Sequence, residues 1–390
     1  MRFTLVLFVF SLYSPLAAQP GRDVFDASRV TDIRLEFAPG QYERLQQNYL
    51  LDTYYEATFS WEGHTVAKIG VRSRGNGSRI GAKPGLKLDF NQFVSGQSFL
   101  GFKALDLDNL AQDRSMMAEY LSLQLFEKMG IPAPRATYVR LFVNGANAGL
   151  YTLVEPVDKL FLQRTRAEDS GYLYDYEWAT EYWFHYAGPD PAIYSPLPFT
   201  PKTNEKSPDA TPLVDFIRTL NEASDEDLPA ALAPFIDARQ FLDYLAVETF
   251  LVERDGMTGD WGINNFYLYR PKGLRRHFFI PWDKDATFGS PDQSIWNRTD
   301  RNVLTRRLLD NPEYRDYFLR ALEKCSTIAG NSGGWLDREI ERTAALIRPF
   351  AESDTRKPYL TSEFEDTLIH LRDFAATRAA FIRAEIAATP

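Results

Sequence analysis

Apolar and polar positions alternate in short runs through the first quarter of the chain. DIRLEF (Asp32–Phe37), YEATFSW (Tyr55–Trp61), AKIGVRSR (Ala67–Arg74) and LKLDF (Leu86–Phe90) read as strands, because a period of two turns one face of each toward a core. The Gly-rich stretch RGNGSRIGAKPG (Arg74–Gly85) separates the last two. The period then lengthens. In DRSMMAEYLSLQLFEKMG, Met117, Leu121 and Leu125 recur at helical spacing, Asp113 is placed to cap, and Gly130 and Pro132 end the run. ATYVRLFVNGANAGLYTLVEPV returns to alternation and reads as two strands turning at Asn144-Gly145. Thr165 to about Asp209 keeps no period, contains the Pro-rich YSPLPFTPK, and reads as an inserted loop region. From Pro212 helical spacing dominates, through PLVDFIRTLNEA, ARQFLDYLAVETFLVERDG and the tail from Asn302 to Ala388. NNFYLYR and RHFFIPWD interrupt it as a hairpin. The pattern predicts an α+β chain with a strand-rich N-terminal lobe (about 29–155) carrying one helix. An insert (about 165–210) and a helix-rich C-terminal lobe (about 211–390) follow.

Composition narrows the function. With 44% hydrophobic and 25% charged residues in 390, the chain is globular with one or two cores. A net charge of −9 and the lack of a long basic run argue against a nucleic-acid partner. The aromatic share of 14% implies a ring-lined core or groove, and Tyr172–Tyr194 is its densest stretch. The N-terminus, MRFTLVLFVFSLYSPLAAQPG, has Arg2, an apolar run from Phe3 to Leu12 and small residues at Ala17-Ala18. This predicts a signal peptide over 1–18 and an exported mature chain, 19–390, without a transmembrane segment. Its destination is the periplasm, the cell surface or the medium. The lone Cys325 allows no intrachain disulfide and reads as a buried apolar residue. His64, His185, His277 and His370 are scattered outside any zinc motif, and no G-x-S-x-G nucleophile elbow occurs.

Candidate chemistry gathers at GDWGINNFYLYR (Gly259–Arg270) and PWDKDATFG (Pro281–Gly289). Asp260 precedes Asn265, a hairpin follows, and Asp283 and Asp285 stand at its far end. Each piece alone fits a capped turn or a structural calcium site. Together they have the order that phosphoryl transfer by kinases uses: an Asp to orient the acceptor hydroxyl, then an Asn and a second Asp to hold metal ions under the phosphates. Asp255, in ERDGM, is the rival for the catalytic role. The Gly-rich loop with Arg72, Arg74, Lys83 and Lys87 suits a phosphate cover, although it matches neither the Walker nor the kinase glycine pattern. Glu119 and Glu127 lie on the following helix, where either could anchor a Lys. Glu155 and Asp158 fall near the expected interlobe hinge.

The chain resembles the CotH family of spore coat protein H-like kinases. The residues that carry the likeness are VRSRGNGS…AKPGLKLDF, DRSMMAEYLSLQLFEKMGIPAP, VNGANAGLYTLVEPVDKLFL, GYLYDYE, FLDYLAVETFL, NNFYLYR and, most specifically, PWDKDATFG. The resemblance implies an atypical protein-kinase-like two-lobed fold. It implies ATP-dependent phosphorylation of Ser or Thr on a protein substrate, with Mg2+ or Mn2+. By position, Asp260 is then the catalytic acid, Asn265 and Asp283, with Asp285, are metal ligands, and Lys87 or Lys83 contacts the nucleotide with Arg74 and Glu119. Two other readings stay open. One is an inactive exported binding or adhesion module with a structural calcium ion. The other is a phosphotransferase acting on a sugar or small molecule.

Overall fold

The computed structural model describes residues 23–389; the expected signal peptide over 1–18 lies outside them. Seven strands of the N-terminal part close on themselves. They are β1 (Thr31–Phe37), β2 (Tyr55–Trp61), β3 (His64–Arg74), β4 (Gly85–Asp89), β5 (Ala104–Asp108), β6 (Ala136–Val143) and β7 (Ala146–Val154). The order is β1-β2-β3-β4-β5-β7-β6, and a parallel pairing of β1 with β6 seals the barrel. Alternation drives the closure. Ile33, Leu35, Phe59, Trp61, Ile69, Val71, Leu86, Leu88, Leu105 and Leu107 are all buried in one cluster, while the residues between them face outward. The hairpin β6–β7 turns through Asn144 (φ 49°) and Gly145 (φ 78°), the positive pair that a two-residue turn needs.

Ten helices lie among the described residues: α1 (Gln41–Gln47), α2 (Ala118–Met129), α3 (Lys159–Arg166), α4 (Thr211–Glu222), α5 (Leu228–Leu232), α6 (Ala238–Leu251), α7 (Val303–Asp310), α8 (Pro312–Ala329), α9 (Trp335–Ser353) and α10 (Thr361–Ala388). Most belong to the second part. α2 ends at Gly130 in the left-handed region, as its sequence predicts. Asp113 is not its N-cap residue; its carboxylate reaches over to accept from the Ala118 N–H at 2.7 Å. α6 packs on α8 and α2 in the larger hydrophobic core, apart from the barrel's. Among the described residues no helix is long and apolar enough to cross a membrane. Cys325 is fully buried.

A second sheet, β11-β10-β8-β9, joins two strands that precede α4 to a hairpin between α6 and α7. Its strands are β8 (Tyr172–Tyr176), β9 (Phe199–Pro201), β10 (Phe266–Arg270) and β11 (Phe278–Pro281). The region expected to be a loop is therefore looped over 177–198, apart from a single 3-10 turn, while its two ends extend the hairpin's sheet. YLYDY hides its period because ring residues occupy both faces. Its aromatics are mostly core: Tyr174, Tyr176, Phe184 and Tyr194 are buried, and Tyr176 stacks on Phe266 at 5.1 Å.

His277, at the start of β11, is buried against Phe216, with Nδ1 3.3 Å from the Phe235 carbonyl. Burial first, then the Arg270 charge, pulls its pKa down to about 3. The unfolded chain takes up this proton near pH 6.5, and the fold refuses it until about pH 3. Stability should therefore fall as the pH drops through that window, by about 1.4 kcal/mol per unit from this group. His277→Gln should shift the acid transition seen by circular dichroism to lower pH; coincident transitions would remove His277 from the account.

Candidate functional site

A cleft of about 1130 Å³ opens between the barrel and the second sheet. Register builds its roof. Arg72, Lys87 and Asp106 stand opposite one another on β3, β4 and β5, and so share the barrel's outer face. The next row is Arg74 and Gly85, with Asp108 two residues beyond Asp106 on β5 and on the same face. A Cβ at Gly85 would come within 3.2 Å of the Arg74 carbonyl, so glycine keeps this row clear. Arg74 lies 3.5 Å from Asp106 and 5.5 Å from the centre of the Trp282 ring. Burial disfavours its charge, but Asp106, Asp108, Asp283 and Glu119 hold its pKa above the usual arginine value. β5 went unread in the sequence although ALDLD alternates cleanly; its outward acids resemble a loop.

The floor is the open end of the β10–β11 hairpin. The Trp282 N–H donates to the Asn265 carbonyl at 3.3 Å, which brings Asn265 and Asp283 together. Both have positive φ, 56° and 50°. Asn and Asp tolerate that region better than other side-chain-bearing residues, and the two twists set how the side chains leave the hairpin. Asn265, Asp283, Asn264, Tyr267 and Trp282 all line the cleft.

The two candidate catalytic acids part company here. Asp255 accepts from Asn264 Nδ2 at 3.0 and 3.1 Å and from Asn265 Nδ2 at 3.0 Å, and its charge acts on Asp283. Asp260 pairs with arginines instead: Arg254 holds it at 2.8 and 3.1 Å, and Arg298 pairs with its other oxygen. The five-residue spacing to Asn265 pointed to Asp260 in sequence, whereas the acid hydrogen-bonded to the Asn265 amide is Asp255.

The acids below Arg74 are electrostatically unbalanced. Burial, then Asp108, pushes the Asp283 pKa up to about 6, against the pull of Arg74. Burial, then Asp283 and Asp108, raises Asp285 well above the carboxylate range. Glu119, on α2, is raised by burial, Asp108 and Asp283. Among the described residues neither Asp283 nor Asp285 has a hydrogen-bonded or ion-paired partner. The Asp283 carboxylate and the Asn265 amide oxygen, on two residues that line the cleft, are hard oxygen donors, with Asp285 two residues further on. They fit magnesium or manganese, with water and phosphate completing the shell. Among the described residues no three His, Cys, Asp or Glu side chains are grouped to hold a metal ion.

A buried bracket, missed in the sequence, ties the two loops. Lys284, between the two acids, is fully buried, 2.7 Å from Glu248 Oε1 and 3.8 Å from Glu253 Oε2. The second oxygen of each Glu serves the loop that carries Asp255: Glu248 accepts from Met257 N at 2.7 Å, and Glu253 from Asp255 N at 2.8 Å. A Cβ at Gly256 would lie 2.6 Å from Glu248, so that residue must be glycine for the loop to close. Burial, opposed by Lys284, lifts Glu253 to about 8. The signal available in sequence was a lysine locked inside D-K-D at a strand end.

Of the expected nucleotide contacts, Arg74 and Lys87 line the cleft. Lys83 does not. It is fully buried, 2.7 Å from Asp354 just after α9, and Asp354 also accepts from Leu150 N at 3.0 Å. Lys83 therefore fastens the barrel to the helical part. Glu119 feels the Arg74 charge across the site, and that charge opposes the rise of its pKa. Glu127 accepts from Ala133 N, and Glu155 binds Arg135 and Arg164, so both serve structure. Asp158 caps α3 at the cleft wall.

Residues 71–382 match the family described as CotH kinase protein. The inner spore coat protein H of Bacillus subtilis (strain 168) is 27% identical over 76% of this chain and 80% of that one. Invasins CotH7 and CotH3 of Rhizopus delemar are each 23% identical, over 58% and 68% of this chain. The match spans 39% and 45% of their own lengths, less than half of either fungal protein. The crystal structure of a Helicobacter pylori proinflammatory kinase, CtkA, aligns over 78% of this chain and 94% of that one. At 9% identity and a TM-score of 0.34 it is too remote to argue from.

Proposed function

Because the chain belongs to the CotH kinase protein family, we propose that it transfers the terminal phosphoryl group of ATP to a Ser or Thr hydroxyl of a protein, after export to the cell surface or beyond. The barrel then acts as the upper lobe and the helical part as the lower lobe of an atypical protein-kinase-like fold. The observation that carries the reading is Asn265 and Asp283 lining one cleft with Arg74 and Lys87, with Asp255 hydrogen-bonded to the Asn265 amide. Magnesium or manganese, when bound, neutralises the phosphate oxygens. Asn265, Asp283 and Asp285 supply the oxygens that hold it. Arg74 and Lys87 hold phosphates from above as fixed positive charge. Asp255, kept in place by two amide side chains, accepts the hydrogen bond of the acceptor hydroxyl and orients its oxygen for in-line attack.

The test is the mature chain with labelled ATP, manganese and a generic acceptor protein, alongside thermal melts. Label on Ser or Thr, and a melting temperature raised by manganese plus ATP, are the expected results. Stabilisation by calcium alone, with no response to nucleotide, would support the binding module instead. Label on a sugar or small molecule alone would remove the protein acceptor. The unbalanced acids add a second expectation. Asp283→Asn should stabilise the metal-free protein by on the order of 1 kcal/mol, since one unit of pKa shift is worth about 1.4 kcal/mol. The same change should reduce the stabilisation by manganese, as melts with and without metal would show. A metal-free melting temperature at or below the parent's would contradict the repulsion argument.

A further inference from the structure

Asp175 lines the same cleft, yet neither metal binding nor hydroxyl activation uses it. It sits on β8 directly opposite Tyr267 of β10. The face it shares is otherwise apolar: Leu173, Tyr269 and Ile280 pack on Phe161 and Leu162 of α3. Asp175 marks the point where that face leaves the helix and enters open space. An acid there is costly unless hydrogen bonds satisfy it. Lys202 lies 3.2 Å away but is shared with Glu177 at 3.1 Å, and burial still lifts the Asp175 pKa to about 6. The Tyr267 hydroxyl adds one hydrogen bond. A carboxylate offers about four acceptor sites, so there is capacity left for donors arriving from the cleft.

Position selects the donor. Asn265 stands just before β10, two residues and at most about 7 Å from Tyr267, and Asp175 is one strand across from Tyr267, about 5 Å; all three line the cleft. The backbone at Asp175 is thus roughly 8 Å from that at Asn265, about one phosphate link and one sugar ring. A carboxylate repels phosphates, which the Arg74 and Lys87 end attracts, and it accepts readily from vicinal hydroxyls. We infer that Asp175 reads the ribose 2′- and 3′-hydroxyls of the bound nucleotide, so that the site takes ribonucleotides in preference to deoxynucleotides.

The inference rests on the kinase reading, and binding measurements separate the two. Calorimetry of the mature chain with manganese should give ATP tighter than 2′,3′-dideoxy-ATP by about ten- to hundredfold, the range for hydrogen bonds to a charged group. In Asp175→Ala that ratio should fall to near one, with dideoxy-ATP bound as by the parent. Asp175→Asn, the milder change, should leave an intermediate ratio. If the parent binds no nucleotide, the kinase reading itself fails. If the parent binds ATP and dideoxy-ATP equally, or if Asp175→Ala weakens both by one factor, the sugar assignment is overturned and the kinase reading stands. Loss of a preference for ATP over GTP in Asp175→Ala, with the sugar ratio unchanged, would place Asp175 on the base and likewise overturn it.

Discussion

Asp255→Asn should lower phosphate transfer to a protein acceptor by about 10²–10⁴-fold, the usual worth of a positioned acid or base, while Asp260→Asn should lower it less than tenfold. The contrast follows from what each carboxylate touches. Asp255 is oriented by the amides of Asn264 and Asn265 and acts electrostatically on Asp283. An Asn there keeps the size but loses the charge that holds the acceptor proton. Asp260 is engaged by Arg254 and Arg298. Removing its charge loosens the outer side of the loop for roughly the 0–1 kcal/mol of a partly exposed ion pair. Initial rates at saturating ATP, with ATP affinity measured separately, make the comparison. Affinity should fall far less than the rate, because Asp255 reaches the nucleotide site only through the Asn265 amide. Equal losses in the two variants, or a larger one in Asp260→Asn, would return the catalytic role to Asp260.

Lys284→Met should be the most damaging single change to stability. It leaves Glu248 and Glu253 buried without their cation, and breaking a buried pair from one side costs about 3–5 kcal/mol. At about 2 °C per kcal/mol for a larger domain, the melting temperature should drop by roughly 6–10 °C. Activity should suffer beyond the loss of folded protein, because the same two carboxylates hold the backbone at Asp255 and Met257. A displacement of about 1 Å can cost on the order of 10²-fold in rate. The discriminating variant combines Lys284→Met with Glu248→Gln and Glu253→Gln. Both Gln carbonyls can still accept from the loop, and no charge is left alone. It should recover more than half of the lost stability. If it melts no higher than Lys284→Met alone, the buried charges are not the cause.

The strands that form the barrel were legible where alternation was clean, as in DIRLEF and YEATFSW. The helical spacing of Met117, Leu121 and Leu125 likewise marked α2. Closure was not legible, because the β1–β6 pairing joins segments a hundred residues apart and no local pattern encodes it. At the site, Asn265 and Asp283 could be read because they flank one hairpin. That Asp255 rather than Asp260 meets the Asn264 and Asn265 amides was not legible, since spacing along a loop does not reveal side-chain partners. Lys83 and Lys87 were indistinguishable as letters. Strand register puts Lys87 on the barrel's outer face, and Lys83 is consumed by Asp354, 271 residues away. Asp175 lay in a stretch read as loop, so its place on the floor came from pairing with β10 alone.

The sealed barrel has a consequence for how this protein meets others. A free strand edge is an adhesive: its unpaired amides accept a strand from any neighbour. β1 is paired on both sides, so the barrel offers none. In the second sheet the edges are β9, three residues long and ending in Pro201, and β11, four residues long and ending in Pro281. Proline donates no amide, so both are poor templates. Strand addition is therefore a poor route for another chain to join either of the two sheets, and contacts with neighbours fall to side chains.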